Sequence, residues 1–278
     1  MTESAEPRAP IRLSAAAAAL RIFDLSVSQM LWSRRTIFMG LVVGVPVLVA
    51  ALVRVLVMLG APLDRTLAGP AIFGLMVWAF FVHFSVPVLA AFYGTSLIAD
   101  EVEDKTLTYL FTRPIPRGAV LMGKYLSYLA CTVCVVLPSV VLVWLLIVPI
   151  RGSLGAGFLD LLRDLGLLAL GLAVYGAVFA LVGAVLKRPL LFGLGFIFGW
   201  EFLVLAMPGY LKRLTVAYYL EGLVPHALPN DSAIRLVQAI FQDRPTVTTS
   251  LVSMGVIALV ALWLAARAVA RREYVLEQ

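Results

Sequence analysis

Apolar residues in this chain come in long unbroken runs, not in the alternation of a half-buried strand or the stripe of a surface helix. Six runs approach or exceed the roughly 20 residues that a helix needs to cross the ~30 Å hydrocarbon core of a bilayer. They are Thr36 to Leu59, Ala71 to Ala99, Tyr125 to Ile150, Leu165 to Leu186, Pro189 to Met207 and Pro245 to Ala266. Lipid offers backbone amides no partner, so such runs are read as helices. The pattern predicts an all-α integral membrane protein with six transmembrane helices. Pro46, Pro87 and Pro138 fall inside three runs, where each removes a ladder hydrogen bond and predicts a kink.

Shorter periodicities frame the runs. Ahead of the first, Leu20, Phe23, Val27, Met30 and Leu31 share one helical face, with Arg21, Asp24 and Ser28 turned away. That predicts an N-terminal amphipathic helix in the membrane interface. Between the last two runs lie two apolar stripes, Leu211, Leu214, Ala217, Tyr218 and Ile234, Val237, Ile240, Phe241. The Pro229-Asn230-Asp231-Ser232 turn separates them and supplies N-cap residues, which predicts two short helices on the outer membrane face. The domain reading is a cytoplasmic tail and interfacial helix over 1–35, a six-span domain over 36–270 with a long outer loop at 208–244, and a cytoplasmic tail over 271–278.

Composition sharpens this picture. The chain is 62% hydrophobic and 14% charged, against about 45–50% and about 25% for soluble domains. The surplus apolar surface must face lipid. The net charge of +6 contains no Lys/Arg block, so nucleic acid is not an expected partner. With the N-terminus inside, inner segments hold 14 of the 22 Lys and Arg residues, outer loops hold seven, and Arg54 lies within a run. That excess predicts both termini on the cytoplasmic side.

Ionisable groups inside apolar runs are costly and often functional. Here they are Arg54, His83 and Glu201, with Glu201 and Arg54 expected to pair across two helices. Cys131 and Cys134 lie one helical turn apart in an apolar run and read as small packing residues. Gly118-x4-Gly123-Lys124 approaches a phosphate loop, but Tyr125 stands where a Ser or Thr would bind magnesium. No catalytic residue, cofactor or metal is assigned to this chain.

The segment between the second and third runs is the most informative. Asp100, Glu101, Glu103 and Asp104 cluster at its start, and Arg113, Arg117 and Lys124 follow. A short helix is predicted from about Asp100 to Thr112, with acids at its positive N-terminal end, Leu107, Leu110 and Phe111 on one face, and Pro114 and Pro116 ending it. Such a helix fits either a partner's groove or the membrane surface.

The same stretch resembles the signature region of ABC-2-type permeases, the membrane subunits of bacterial ABC exporters. Glu101, Glu103, Thr106, Leu107, Pro114, Arg117, Gly123, Lys124 and Tyr125 carry the resemblance. It implies a permease in the bacterial plasma membrane whose residues 100–117 couple to a separate ATP-binding subunit. Leu110, Phe111 and Arg113 would share that contact. ATP and magnesium would sit on the partner, in two copies, beside a second permease as homodimer or heterodimer. Two other classes fit less of the chain. An ion-driven carrier would show paired broken helices or an inverted repeat, and neither is legible. A CAAX-type intramembrane protease would need Asp100-Glu101-x-x-x-Lys105 and His226-x-x-x-Asn230 in one site, yet the expected topology separates them by the bilayer.

Overall fold

The computed structural model describes residues 15–31, 34–60, 68–103, 117–201, 203–204, 210–224 and 245–271. Every regular element among them is helical. In chain order they are α1 (Ala15–Leu31), α2 (Arg34–Met58), α3 (Gly69–Met76), a π-helical segment (Val77–Ser85) and α4 (Val86–Glu103). Then come α5 (Arg117–Ile147), α6 (Leu154–Val185), α7 (Pro189–Gly195), a second π-helical segment (Phe196–Glu201), a 3-10 turn (Tyr210–Leu214), α8 (Val216–Glu221) and α9 (Val247–Arg271).

Five stretches are long and apolar enough to cross a bilayer: Thr36–Met58, Gly69–Ile98, Gly118–Ile147, Phe158–Val185 and Val247–Arg271. They coincide with five of the six expected spans. Pro46 lies inside α2 and Pro138 inside α5. Pro87 opens α4 directly behind the first π segment. It has no N–H to give and crowds the carbonyl four residues back, and the ladder there is widened. The Val86 amide donates to the Phe81 carbonyl, five residues behind it.

The expected fifth span, Pro189 to Met207, is different. Among the described residues it holds a 7-residue α-helix continued by a 6-residue π-helix, about 20 Å by rise per residue, and residues 203–204 are helical as well.

α6 is the axis of the bundle, with α4, α5, α7 and α9 packed around it. Tyrosines fasten α5 to it: the Tyr125 hydroxyl donates to the Ala173 carbonyl at 2.7 Å, and the Tyr128 hydroxyl to the Leu172 carbonyl at 2.9 Å. The Tyr128 ring occupies the space a side chain at residue 176 would need, so Gly176 is required by close approach.

α1 lies across the start of α5. Any side chain at Gly123 would meet the Ala19 carbonyl, and the Ser127 hydroxyl donates to the Phe23 carbonyl at 3.0 Å. The close approach turns α1 so that Ile22 and Ser26 face inward. Leu20, expected on the apolar face, is left 65% exposed. Gly118 to Tyr125 is continuous helix, so the near-match to a phosphate loop is a packing feature.

Candidate functional site

Two of the three intramembrane polar residues lie at opposite ends of α8. Glu201 ends the second π segment and is 4% exposed. The Tyr175 hydroxyl of α6 donates to its Oε1 at 2.6 Å, and the Ala217 amide donates to the same oxygen at 2.9 Å. Ala217 stands in the first turn of α8, so the carboxyl group sits where free amides and the helix dipole favour an acceptor. Thr215 is the N-cap of α8, its hydroxyl oxygen accepting from the Tyr218 amide.

At the other end of α8, Glu221 is buried and reaches the second crossing. His83 Nε2 lies 3.0 Å from Glu221 Oε1, and His83 Nδ1 lies 2.9 Å from the Trp78 carbonyl. The Trp78 ring also leans on the imidazole, centroids 4.6 Å apart. The π-helical widening of Val77–Ser85 thus carries the histidine and the carbonyl that it bonds.

The direction of α8 follows from what it touches. Gly193 of α7 faces Phe179, Glu201 meets Tyr175, Ala217 meets Glu201, and Leu220 lies against Gly171. Numbers rise along one strand of contacts while they fall along α6, so both half-helices run antiparallel to α6. Glu201, at the end of the second π segment, and Ala217, in the first turn of α8, are joined by a hydrogen bond between them. Gly222 then abuts Pro245 and Ser250 at the start of α9.

Of the first stripe expected in the loop, Leu211 and Leu214 are exposed, whereas Ala217 and Tyr218 are buried with Val216, Leu220 and Glu221 among α6, α9 and the first π segment. One expectation needs correcting. The expected Glu201–Arg54 pair is not formed. Arg54 sits on α2, which packs on α5, whereas Glu201 is bonded to Tyr175 and the end of α8. The second stripe, around Ile234 to Phe241, and His226 lie outside the described residues.

The segment between α4 and α5 is described only at its ends. α4 continues unbroken through Glu103, so Glu101 and Glu103 belong to the last turn of the second crossing and not to the first turn of a separate helix. The backbone of Asp100, Glu101 and Glu103 is thus a continuation of the second crossing. Arg117 is the first residue of α5. Thr106, Leu107, Leu110, Phe111, Arg113 and Pro114 lie outside the described residues. Cys131 and Cys134 are free thiols, one buried and one exposed.

Tyr175 and Glu221 were not singled out by the sequence. His83 and Glu221 are 138 residues apart, and no spacing rule links residues at that distance. Glu221 also lies outside every apolar run, so the cost argument that flagged His83 and Glu201 did not reach it.

Several long apolar helices around a buried polar break define a multi-pass membrane transport protein. The family profile described as ABC-2 family transporter protein matches residues 14–273. The chain belongs to that family and is a membrane permease of the ABC transporter class. A comparison with curated proteins returns no match.

Proposed function

We propose that the chain is the permease subunit of an ATP-driven exporter of the ABC-2 type, working in a bacterial plasma membrane with both termini cytoplasmic. The observation that carries this reading is the family match over nearly the whole chain. Counting the two half-helices around Glu201 as one crossing gives six in all, and an even number returns the chain to its starting side. Two copies of an ATP-binding cassette subunit supply ATP and magnesium, and a second permease completes the pathway.

The motor contact in this reading is made by residues 100–117: Glu101, Glu103, Thr106, Leu107, Leu110, Phe111, Arg113, Pro114 and Arg117. Its support is mechanical. The segment joins α4 to α5, and α5 is fastened to α1 and α6 within three turns of Arg117. A push delivered there reaches the centre of the bundle. Arg54, His83 and Glu201 are proposed as polar determinants of the path, with Arg54 near the end of α2.

The broken fifth crossing favours one competing reading, an ion-driven carrier, since discontinuous helices with buried carboxylates mark many such proteins. The two separate cleanly. Under the proposal, the chain co-purifies with an ATP-binding cassette protein and stimulates its ATPase. Leu107→Asp or Leu110→Asp abolishes that stimulation while the permease remains folded. Cargo movement that survives an ATPase-dead partner but stops when the proton gradient is collapsed overturns it.

A further inference from the structure

The contact between His83 and Glu221 depends on a single proton. A carbonyl oxygen only accepts, so His83 Nδ1, 2.9 Å from the Trp78 carbonyl, must carry hydrogen. That fixes the role of the other nitrogen. At 3.0 Å from Glu221 Oε1, Nε2 either donates as part of an imidazolium to a carboxylate or accepts from a protonated carboxyl group. Both descriptions place one proton between the two atoms. Without it, a nitrogen lone pair faces a carboxylate lone pair at hydrogen-bond distance, and the contact becomes repulsive.

This proton joins two parts of the molecule that have no reason to move together. His83 belongs to the π segment of the second crossing, and Glu221 ends the half-helix α8. We propose that His83 and Glu221 form a one-proton binding site that latches α8 to the second crossing, so that the outer half of the broken fifth crossing is held when the site is loaded and released when it is empty.

Among the described residues, the ionisable groups on the elements packed around the pair are engaged elsewhere or form no ion pair with it. α6 presents Tyr175, whose hydroxyl is engaged by Glu201, and the preceding π segment presents Glu201, engaged by Tyr175 and Ala217. α8 adds Tyr218 and Tyr219, the latter donating to the Arg213 carbonyl in the 3-10 turn that also holds Lys212. α9 carries no ionisable side chain between Val247 and Ala266. α2, which also touches the π segment, presents Arg54, with no ion pair to His83, Glu201 or Glu221. Among the described residues no lysine or arginine is ion-paired with Glu221, and the charged partner its carboxyl group meets is the His83 imidazole.

At the far side of α8 the hydroxyl of Ser250 is fully buried, has no hydrogen-bond partner and lies against Gly222. The consequence of the latch is a dependence on proton activity that needs neither ATP nor cargo.

The test uses the full-length permease in lipid nanodiscs, without nucleotide or partner, followed by hydrogen exchange over residues 216–224. Rates are corrected for the intrinsic effect of pH and compared from about pH 5 to about pH 9, a range that spans histidine titration. In the wild type, protection falls roughly tenfold or more as pH rises, the factor a charge-assisted hydrogen bond supplies. Glu221→Gln donates an amide hydrogen to neutral Nε2 and stays protected at every pH. His83→Gln donates to the Glu221 carboxylate and behaves likewise. Glu221→Ala is unprotected throughout. A wild type flat with pH overturns the proposal, as does a Glu221→Gln protein that follows the wild-type pH course. Because no ATPase is present, these outcomes are independent of the motor reading, which fails on co-purification and ATP hydrolysis instead.

Discussion

The outer helices α2 and α9 and the inner pair formed by the second crossing and α6 are built to different rules. In α2 and α9 only 22% of the apolar window is buried by protein, whereas in the second crossing and α6 the shares are 61% and 56%. α2 and α9 are unbroken α-helix from end to end. The second crossing contains a nine-residue π segment, and the short helices α7 and α8 lie along α6. The difference follows from solvent. A helix bathed in lipid must satisfy every amide itself, so irregular backbone survives only where neighbouring protein supplies partners. Here Glu201 and Thr215 supply them for the first turn of α8. The joints of this molecule are inside, and its outside is smooth.

That contrast can be broken in graded ways. The largest effect is expected from steric insertion at the centre. Gly176→Leu drives a side chain into the Tyr128 ring and should cost about 3 kcal/mol or prevent folding altogether. Gly255→Leu in α9, with nothing within 4 Å of the new Cβ, should leave the unfolding midpoint unchanged. Comparable losses at both positions, measured by thermal unfolding in detergent, would remove the distinction between inner and outer helices.

Next in size is Glu201→Ala. It orphans the Tyr175 hydroxyl and the Ala217 amide, both buried, at about 1–3 kcal/mol for each unsatisfied group. Glu201→Gln keeps an acceptor and should retain most of that stability, while Arg54→Ala on the outer helix should sit within about 0.5 kcal/mol of wild type. If Arg54→Ala proves as damaging as Glu201→Ala, the carboxyl group has a partner on α2 after all. Smallest is Thr215→Val, which removes the N-cap of α8 and should cost about 1 kcal/mol. Hydrogen exchange confined to residues 216–222 would report it, and a change spread over α9 as well would mean that α8 does not open alone.

Much of this architecture is legible in the sequence for the reason the outer helices are simple. Where lipid is the neighbour, length and hydropathy suffice, and the ends of α2 and α9 fall within a few residues of the expected spans. The fifth crossing escapes that logic because its second half borrows partners from elsewhere. Val216 to Glu221 reads as a surface helix by its stripe, yet all of it but Tyr219 is buried, and its last residue, Glu221, is answered by a contact that only the fold creates. Glu201 and His83 were visible as costly residues in apolar surroundings. Tyr175 was not, because a tyrosine in an apolar run carries no warning. The acids from Asp100 to Glu103 show the opposite failure, a helix start inferred from charge where the preceding helix simply runs on.

The fastening of α5 has a mechanical corollary. Its first three turns are gripped on one flank by α1, through Gly123 and Ser127, and on the other by α6, through two phenolic hydroxyls set on neighbouring carbonyls. Three helices joined at that density form one stiff block running inward from Arg117, and under the proposed coupling the parts free to yield are the jointed stretches beside it.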